Sequence, residues 1–551
     1  MADRYDYVIV GAGSAGCVLA NRLSENLAHK VCLLEAGPPD WNPFIHIPAG
    51  FVKTLKDPSV NWLFEMEPSW GTNGRTIAAP RGKTLGGSSS INGLVFNRGQ
   101  SMDFDTWAQR GNRGWGYADI LPYFKRYETR LGRGSSVYRG QAGEQVITDL
   151  EWRHPLCEAF VQAALDMGMP MNEDYNGCTQ EGVAYVQRTA KGRLRYSAAK
   201  AFLNPVKARK NLHIITHAHT TSVIIEEGRA TGVAFSKGGR HGTQQQVFAT
   251  REVILSAGVV GSPHLLELSG VGNGERLSEL GIDVVHHLAG VGENLRDHYA
   301  PRFTGRAENT STINELTRGP KLLKEISKYL MGKPSIVGLG PTLVYCFWHS
   351  DPITRNHDLQ LTFAPASYKE GVQSEIDIEP GFTCAAWQQR PESLGYIHAR
   401  SADPFVKPVI QPNYLDAEED KRIALAGMKL ARQLMHSSAL APYLDHEVYP
   451  GPHIESDDEL LQVARERGTS TYHMMGTCRM APDTDSTAVV DDNLRVHGLD
   501  GLRVIDASIM PTMLSANLNA GAIVIGEKGS DLVLGKPALE PVVLPFGAKA
   551  T

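Results

Sequence analysis

Two hydrophobic patterns divide the chain. In the first, short continuous apolar runs alternate with helical periodicity. Asp6-Tyr7-Val8-Ile9-Val10 ends in three β-branched residues and predicts a buried strand. It runs into Gly11-Ala12-Gly13-Ser14-Ala15-Gly16, then a helical pattern (Cys17, Val18, Leu19, Ala20, Leu23), then a second apolar strand, Val31-Cys32-Leu33-Leu34, ending at Glu35. Prolines at 38, 39, 43, 48, 58, 68 and 80 predict a loop-rich excursion over 38–80. Residues 105–130 and 154–168 read as helical. From 198 to 260 the α/β pattern returns, with a helix near 198–208, a strand at 212–216 and a hairpin at 221–236. The strand Glu252-Val253-Ile254-Leu255 then delivers Ser256-Ala257-Gly258, followed by a helix from Ser262 to Leu268 with Pro263 in its first turn.

The second pattern fills 300–465. Alternating segments at 358–363 and 395–399 predict an antiparallel sheet, with helices near 320–331 and 417–436. The first pattern then resumes: Leu502-Arg503-Val504-Ile505 is a strand into Asp506-Ala507-Ser508, and 520–534 is a helix. The tail from Gly535 is expected to be loosely ordered. The predicted class is an α/β nucleotide-binding domain of Rossmann type plus an α+β domain with an antiparallel sheet.

The opening unit carries chemistry. Strand, glycine turn, helix, strand and an acid 19 residues after Gly16 make a dinucleotide-binding fingerprint. Gly11 permits the tight turn, Gly13 lets the backbone approach a pyrophosphate, and Gly16 lets helix and strand pack closely. The helix N-terminus favours phosphate, and Glu35 can accept from the hydroxyls of a ribose.

Composition narrows the classes. The chain has 551 residues, 42% hydrophobic and 21% charged, with a formal net charge of −5, so nothing recommends a nucleic-acid partner. Seven scattered cysteines without a CxxC pair predict reduced thiols in a cytoplasmic setting, with neither disulfides nor zinc. No apolar run reaches membrane-spanning length, so contact with a membrane would be peripheral. With the first strand so near Met1, no signal peptide is expected. Among nineteen histidines, His217 with His219 and the pair His286-His287 lack neighbouring carboxylates or cysteines and read as packing or surface residues, so no metal site is expected.

The run Arg81-Gly82-Lys83-Thr84-Leu85-Gly86-Gly87-Ser88-Ser89-Ser90-Ile91-Asn92-Gly93 offers closely spaced backbone donors, suited to phosphate or to the polar edge of a planar ring. It is not a nucleotide-triphosphatase loop, because Lys83 precedes the glycine pair. Together with Gly11–Gly16, this run resembles signatures of the glucose–methanol–choline oxidoreductases, flavoproteins that oxidise alcohols. Gly261–Gly272, Val291–His298, His473–Met480, Asp506–Ser508 and Asn517–Ala520 resemble further motifs of that family in the right order, over nearly the whole chain. Its bacterial choline-dehydrogenase-like and alcohol-dehydrogenase branches are the most similar.

The resemblance implies FAD, held by Gly11, Gly13, Ser14, Ala15, Gly16, Glu35, Ala36, Arg81, Leu85, Gly86, Gly87, Ser88, Asn92, Gly93, Thr220, Ser256, Gly258, Asp506, Ala507 and Asn519. Covalently flavinylated members have a histidine where this chain has Ile91, so non-covalent binding is implied. It also implies a discontinuous FAD-binding domain (1–155, 196–299, 466–538), a substrate domain (156–195, 300–465) and a tail (539–551). The catalytic pair carried over is His473, as base, with Asn517. The chain departs from the family pattern at Met474, Leu394 and Gly521, without loss of a catalytic group. The apolar runs 336–340, 343–348 and 382–387, with Tyr472, are expected to wall the pocket, and they contain no carboxylate for a cationic substrate. The expected reaction is oxidation of an uncharged aliphatic or aromatic primary alcohol, with a quinone or other carrier as electron acceptor. An oxygen-using oxidase, a choline-type dehydrogenase, a lyase or photodecarboxylase of the same fold, and a nicotinamide dehydrogenase stay open as alternatives.

Overall fold

Two sheets set the architecture, one for each hydrophobic pattern. The computed structural model describes residues 3–353, 357–369, 372–542 and 544. The first sheet has seven strands in the order Leu212–Ile215, Val31–Leu34, Asp3–Val10, Thr243–Leu255, Arg229–Lys237 and Ala218–Glu226, with Leu502–Val504 also on Thr243–Leu255. Its central strands run parallel and are buried on both faces, as continuous apolar runs require. Strand Thr243–Leu255 changes neighbours along its length. Its first half pairs antiparallel with Arg229–Lys237, and its last three residues pair parallel with Leu502–Val504. Register places Ile215, Leu34, Val10, Leu255 and Val504 side by side at the carboxyl ends of their strands. The loops that leave those ends therefore share one crevice, where open α/β sheets bind ligands.

The second sheet is antiparallel, with the order Leu444–Tyr449, Arg302–Ala307, Gly381–Gln388, Leu359–Ala364, Val344–Trp348 and Gly182–Tyr185. Period-two alternation gives it two distinct faces. Ala386 faces the helix Glu418–Met435, which approaches so closely that a Cβ on Gly427 would stand 3.1 Å from the Ala386 methyl. Thr383, Ala385 and Trp387 face a cavity instead. The short strands Tyr299–Ala300 and Thr469–Ser470 pair antiparallel and tie the second sheet to the loop carrying His473.

Three local expectations are corrected. The helix expected from Ser262 begins at Gly258, so Pro263 lies inside it. Pro263 has no N–H to donate to the carbonyl of Val259, and that carbonyl accepts the Thr477 hydroxyl at 2.6 Å. The helix expected near 198–208 is only the wide turn Ala199–Leu203, because Pro205 cannot continue its hydrogen bonds. Residues 536–542 are docked, not loose: Leu539, Val542 and Leu544 pack on the first core, and the Val542 N–H donates to the Ala118 carbonyl at 3.0 Å, while 543 and 545–551 lie outside the described residues.

Candidate active site

A cavity of about 2110 Å³ extends from the glycine turn to the second sheet, about twice the upper end of ordinary small-molecule pockets. Its inner half is built by the crevice loops. Gly11 has φ +98, and a Cβ there would stand 2.5 Å from the Ser256 carbonyl; one on Gly16 would stand 1.9 Å from the Gly11 carbonyl. At Gly13 the nearest protein atom would be 3.9 Å away, so that face of the turn is open to the cavity. Glu35 is fixed by two backbone donors, Ala12 N–H and Gly37 N–H, each at 2.9 Å, and burial raises its carboxyl to about 7. Thr220 Oγ1 is buried on the cavity wall without a partner among the described residues. Asn519, first residue of the helix Asn519–Leu534, donates to Ser14 Oγ at 2.8 Å, so two helix N-termini converge on the cavity. An open glycine turn, a buried acid, an orphaned hydroxyl and two helix N-termini fit a dinucleotide such as FAD.

The outer half contains the pair His473–Asn517, and its hydrogen bonds fix the tautomer. His298 Nε2 lies 2.7 Å from the Gln389 carbonyl, which can only accept, so Nε2 carries the proton. Burial lowers His298 to about 4, leaving it neutral with Nδ1 as an acceptor. His473 Nδ1 lies 2.9 Å from that atom and 2.7 Å from Thr471 Oγ1, so Nδ1 is the protonated nitrogen of His473. Its Nε2 keeps a lone pair and accepts from Asn517 Nδ2 at 2.9 Å. Asn517 Oδ1 accepts from the Tyr345 hydroxyl at 3.2 Å, which fixes the amide orientation. Burial, then His298 and Arg81, hold His473 well below the ordinary histidine range. The arrangement is a neutral imidazole whose Nε2 lone pair faces an amide donor.

The backbone that delivers His473 is restrained. Tyr472 has φ 68, uncommon for a residue with a side chain. Its carbonyl accepts from Arg81 Nη1 at 3.0 Å and its N–H donates to Ser470 Oγ at 2.7 Å. Asp297 binds the loop from below. It accepts the N–H groups of His473 (2.7 Å) and His298 (2.9 Å) and the hydroxyls of Tyr414 (2.5 Å) and Ser470.

Most of the anticipated site residues line this cavity: Gly11, Gly13, Ser14, Ala15, Glu35, Ala36, Arg81, Gly87, Ser88, Asn92, Gly93, Thr220, Ser256, Gly258, Asp506, Ala507, Asn519, His473 and Asn517. Gly16, Leu85 and Gly86 do not. Gly16 and Gly86 serve close backbone packing, Gly86 N–H donating to the Ala12 carbonyl at 2.8 Å, while Leu85 packs on the core. Of the expected pocket walls, Ile336, Leu339, Leu343, Tyr345, Trp387 and Tyr472 face the cavity, whereas Cys346 and Cys384 are buried in the core and do not. His219 packs on Phe405 at 4.5 Å, and His217 lies in a turn with φ 56. Asp297, His298, Thr471 and Gln389 were not anticipated. The adjacent acid and histidine at the end of Val291–His298 were the available signal.

Known proteins are similar to this chain in sequence and fold. Sequence models of the GMC oxidoreductase family match residues 5–300 and 391–526. The chain is 41% identical over 535 residues to an alcohol dehydrogenase [acceptor] of Pseudomonas putida, covering 97% of this chain and 96% of the relative. It is 41% identical over 549 residues to human mitochondrial choline dehydrogenase, covering 98% and 91%. Among solved structures, pyridoxine 4-oxidase from Mesorbium loti is similar at TM-score 0.86 and 29% identity, with 96% of this chain and 98% of that one covered. Formate oxidase is similar at TM-score 0.89 and 26% identity, covering 97% and 98%. The chain belongs to the GMC oxidoreductases, FAD-dependent enzymes that act on CH–OH groups.

Proposed function

We propose that the enzyme oxidises an aliphatic or aromatic primary alcohol to the aldehyde, with His473 as general base and Asn517 as its hydrogen-bonding partner. The observation that carries this reading is the chain Gln389–His298–His473–Asn517–Tyr345, which leaves a lone pair on His473 Nε2 beside an amide donor. A substrate hydroxyl entering between the two accepts from Asn517 Nδ2 and donates to His473 Nε2. Burial keeps His473 neutral, so it is ready to take the proton as the carbinol loses hydride. FAD, bound non-covalently in the inner half, supplies the hydride acceptor. Ile91 on the cavity wall offers no atom for a covalent link. The helix Asn519–Leu534 presents its N-terminus there, where negative charge is favoured.

We assign 1–155, 196–299 and 466–538 to FAD binding, and 156–195 with 300–465 to the substrate; the two sheets support this division. Walls of Ile336, Leu339, Leu343 and Trp387 favour an aliphatic or aromatic substrate that is uncharged at its reacting end. Among the described residues, the carboxylates lining the cavity are Glu35 and Asp506 near the glycine turn and Glu375, hydrogen-bonded to Lys56 and Lys369. None stands by His473 to attract a quaternary ammonium, which disfavours choline. The acceptor is a quinone or other carrier, in line with the name of the Pseudomonas relative; oxygen is the rival acceptor. Catalytic efficiency on hexanol and benzyl alcohol against choline and glucose, with peroxide yield measured against dye reduction, tests both points. Preference for choline or glucose would overturn the substrate class, and stoichiometric peroxide would overturn the carrier.

A further inference from the structure

The substrate half of the cavity contains a cation that the proton chemistry does not use. Arg302 lines the cavity from the second sheet, and its guanidinium has neither a hydrogen bond nor an ion pair with any described residue. The other cavity arginines are committed. Arg81 donates to the carbonyls of Pro80 and Tyr472, Arg240 pairs with Asp403, and Arg318 donates to the carbonyls of Asp377 and Ile378. Two phenols accompany Arg302, Tyr368 and Tyr472. Both line the cavity, and neither hydroxyl has a hydrogen-bond partner among the described residues. Burial raises both phenols and so keeps them protonated. The three groups offer hydrogen-bond donors with no carboxylate among them.

Strand register gives their distance from the reacting end. Tyr345 pairs with Thr362, Thr362 with Ala385, and Ala385 with Arg302. Tyr345 holds Asn517, so Arg302 stands three strands away from the residue that supports the catalytic amide, about 14 Å between Cα positions. Between them the cavity-facing residues are Thr362 and Ala385, both small. The sheet thus presents a trough with a catalytic pair at one end and unpaired donors at the other. A guanidinium that faces a cavity without a protein partner keeps its donors open to a ligand, and a carboxylate is the ligand whose two oxygens match its fork.

We propose that Arg302, with the hydroxyls of Tyr368 and Tyr472, forms a carboxylate-binding subsite, so that the preferred alcohols carry a carboxylate at the end away from the reacting carbinol. The inference rests on the alcohol-oxidation reading of His473 and Asn517, and it narrows an uncharged alcohol to one uncharged only where it reacts. The test compares 10-hydroxydecanoate, its methyl ester and 1-decanol in anaerobic flavin reduction by the holoenzyme and by its Arg302→Met and Arg302→Lys variants. Flavin content and melting temperature report whether the variants fold. The wild type should favour the acid over its ester. Arg302→Met should lower the ratio of acid to decanol efficiency by about 10- to 100-fold, the scale of a charge-assisted pair, with Arg302→Lys intermediate. Preference for the ester, or an equal loss on all three compounds, would overturn the subsite. If none of the three reduces the flavin, the alcohol reading fails, and the subsite is judged by decanoate binding, read as a perturbation of the flavin spectrum. Binding that is lost in Arg302→Met supports the subsite, and binding absent or indifferent to Arg302 overturns it.

Discussion

Removing the two acceptors of His473 Nδ1 tests how its tautomer is set. The proton on Nδ1 can go to His298 Nδ1 at 2.9 Å or to Thr471 Oγ1 at 2.7 Å. The Thr471 hydroxyl donates to the His298 carbonyl at 3.3 Å, so its lone pair is free to accept. Either single change, His298→Ala or Thr471→Ala, leaves the other acceptor in place. The loss should then be that of one neutral hydrogen bond, about 1 kcal/mol or roughly fivefold in the rate of flavin reduction. In the double variant the buried N–H has no acceptor, worth about 1–3 kcal/mol, and the proton is free to move to Nε2, where it blocks the base. The double variant should therefore be slower by about 100-fold, well beyond the product of the two singles, with a coupling of about 1 kcal/mol or more. Stopped-flow reduction by benzyl alcohol, at matched flavin content, gives all four rates. His298 also helps to depress His473, so removing it should move the acid limb of the kcat/KM profile upward, toward 6.5. A double variant no slower than the product of its singles would refute the tautomer argument.

Gly13→Val should fold and melt like the unliganded wild type, because its Cβ has 3.9 Å of clearance, yet purify without flavin; Gly16→Ala, with 1.9 Å, should fail to fold. The ratio of flavin to protein absorbance and the melting temperature check both. Thr477→Val should lose about 1–3 kcal/mol in urea unfolding, since it strands the Val259 carbonyl freed by Pro263. Burial lowers His264 to about 4, so its neutral form supports stability above the unfolded value of 6.5 and loses that support as pH falls toward 4. In His264→Gln the loss of stability between pH 7.5 and pH 5 should be smaller by about 2 kcal/mol; an equal loss in the two proteins would contradict the buried neutral state.

The nucleotide half was legible in the sequence because its information is local. A strand, a glycine turn and a helix lie within twenty residues, and Glu35 closes the same unit. The proposed catalytic pair was not local. His473 among methionines looks like a core residue, and only the family's motif order singled it out. His298 and Asp297 escaped assignment because their role depends on the pairing of Tyr299–Ala300 with Thr469–Ser470, which brings segments 170 residues apart into contact. Arg302 was hidden for another reason. In Arg302–Ala307 polar positions 302, 304 and 306 alternate with less polar ones, as in a half-buried strand, yet of the three only Arg302 turns into the cavity, while Arg306 pairs with Asp377 and Glu379. Pro263 misled the helix start because prolines favour first turns, and Thr477, which makes the exception possible, is 214 residues away.

The most direct measurement is anaerobic mixing of the flavin-loaded enzyme with benzyl alcohol, in the wild type, Asn517→Ala and His473→Ala, following the flavin absorbance. The wild type should bleach. His473→Ala should keep its flavin spectrum but bleach about 10²–10⁴-fold more slowly, the range for a lost general base. Asn517→Ala should lose less, because it orients the hydroxyl without taking its proton. His473→Ala bleaching at the wild-type rate would contradict the assignment of the base.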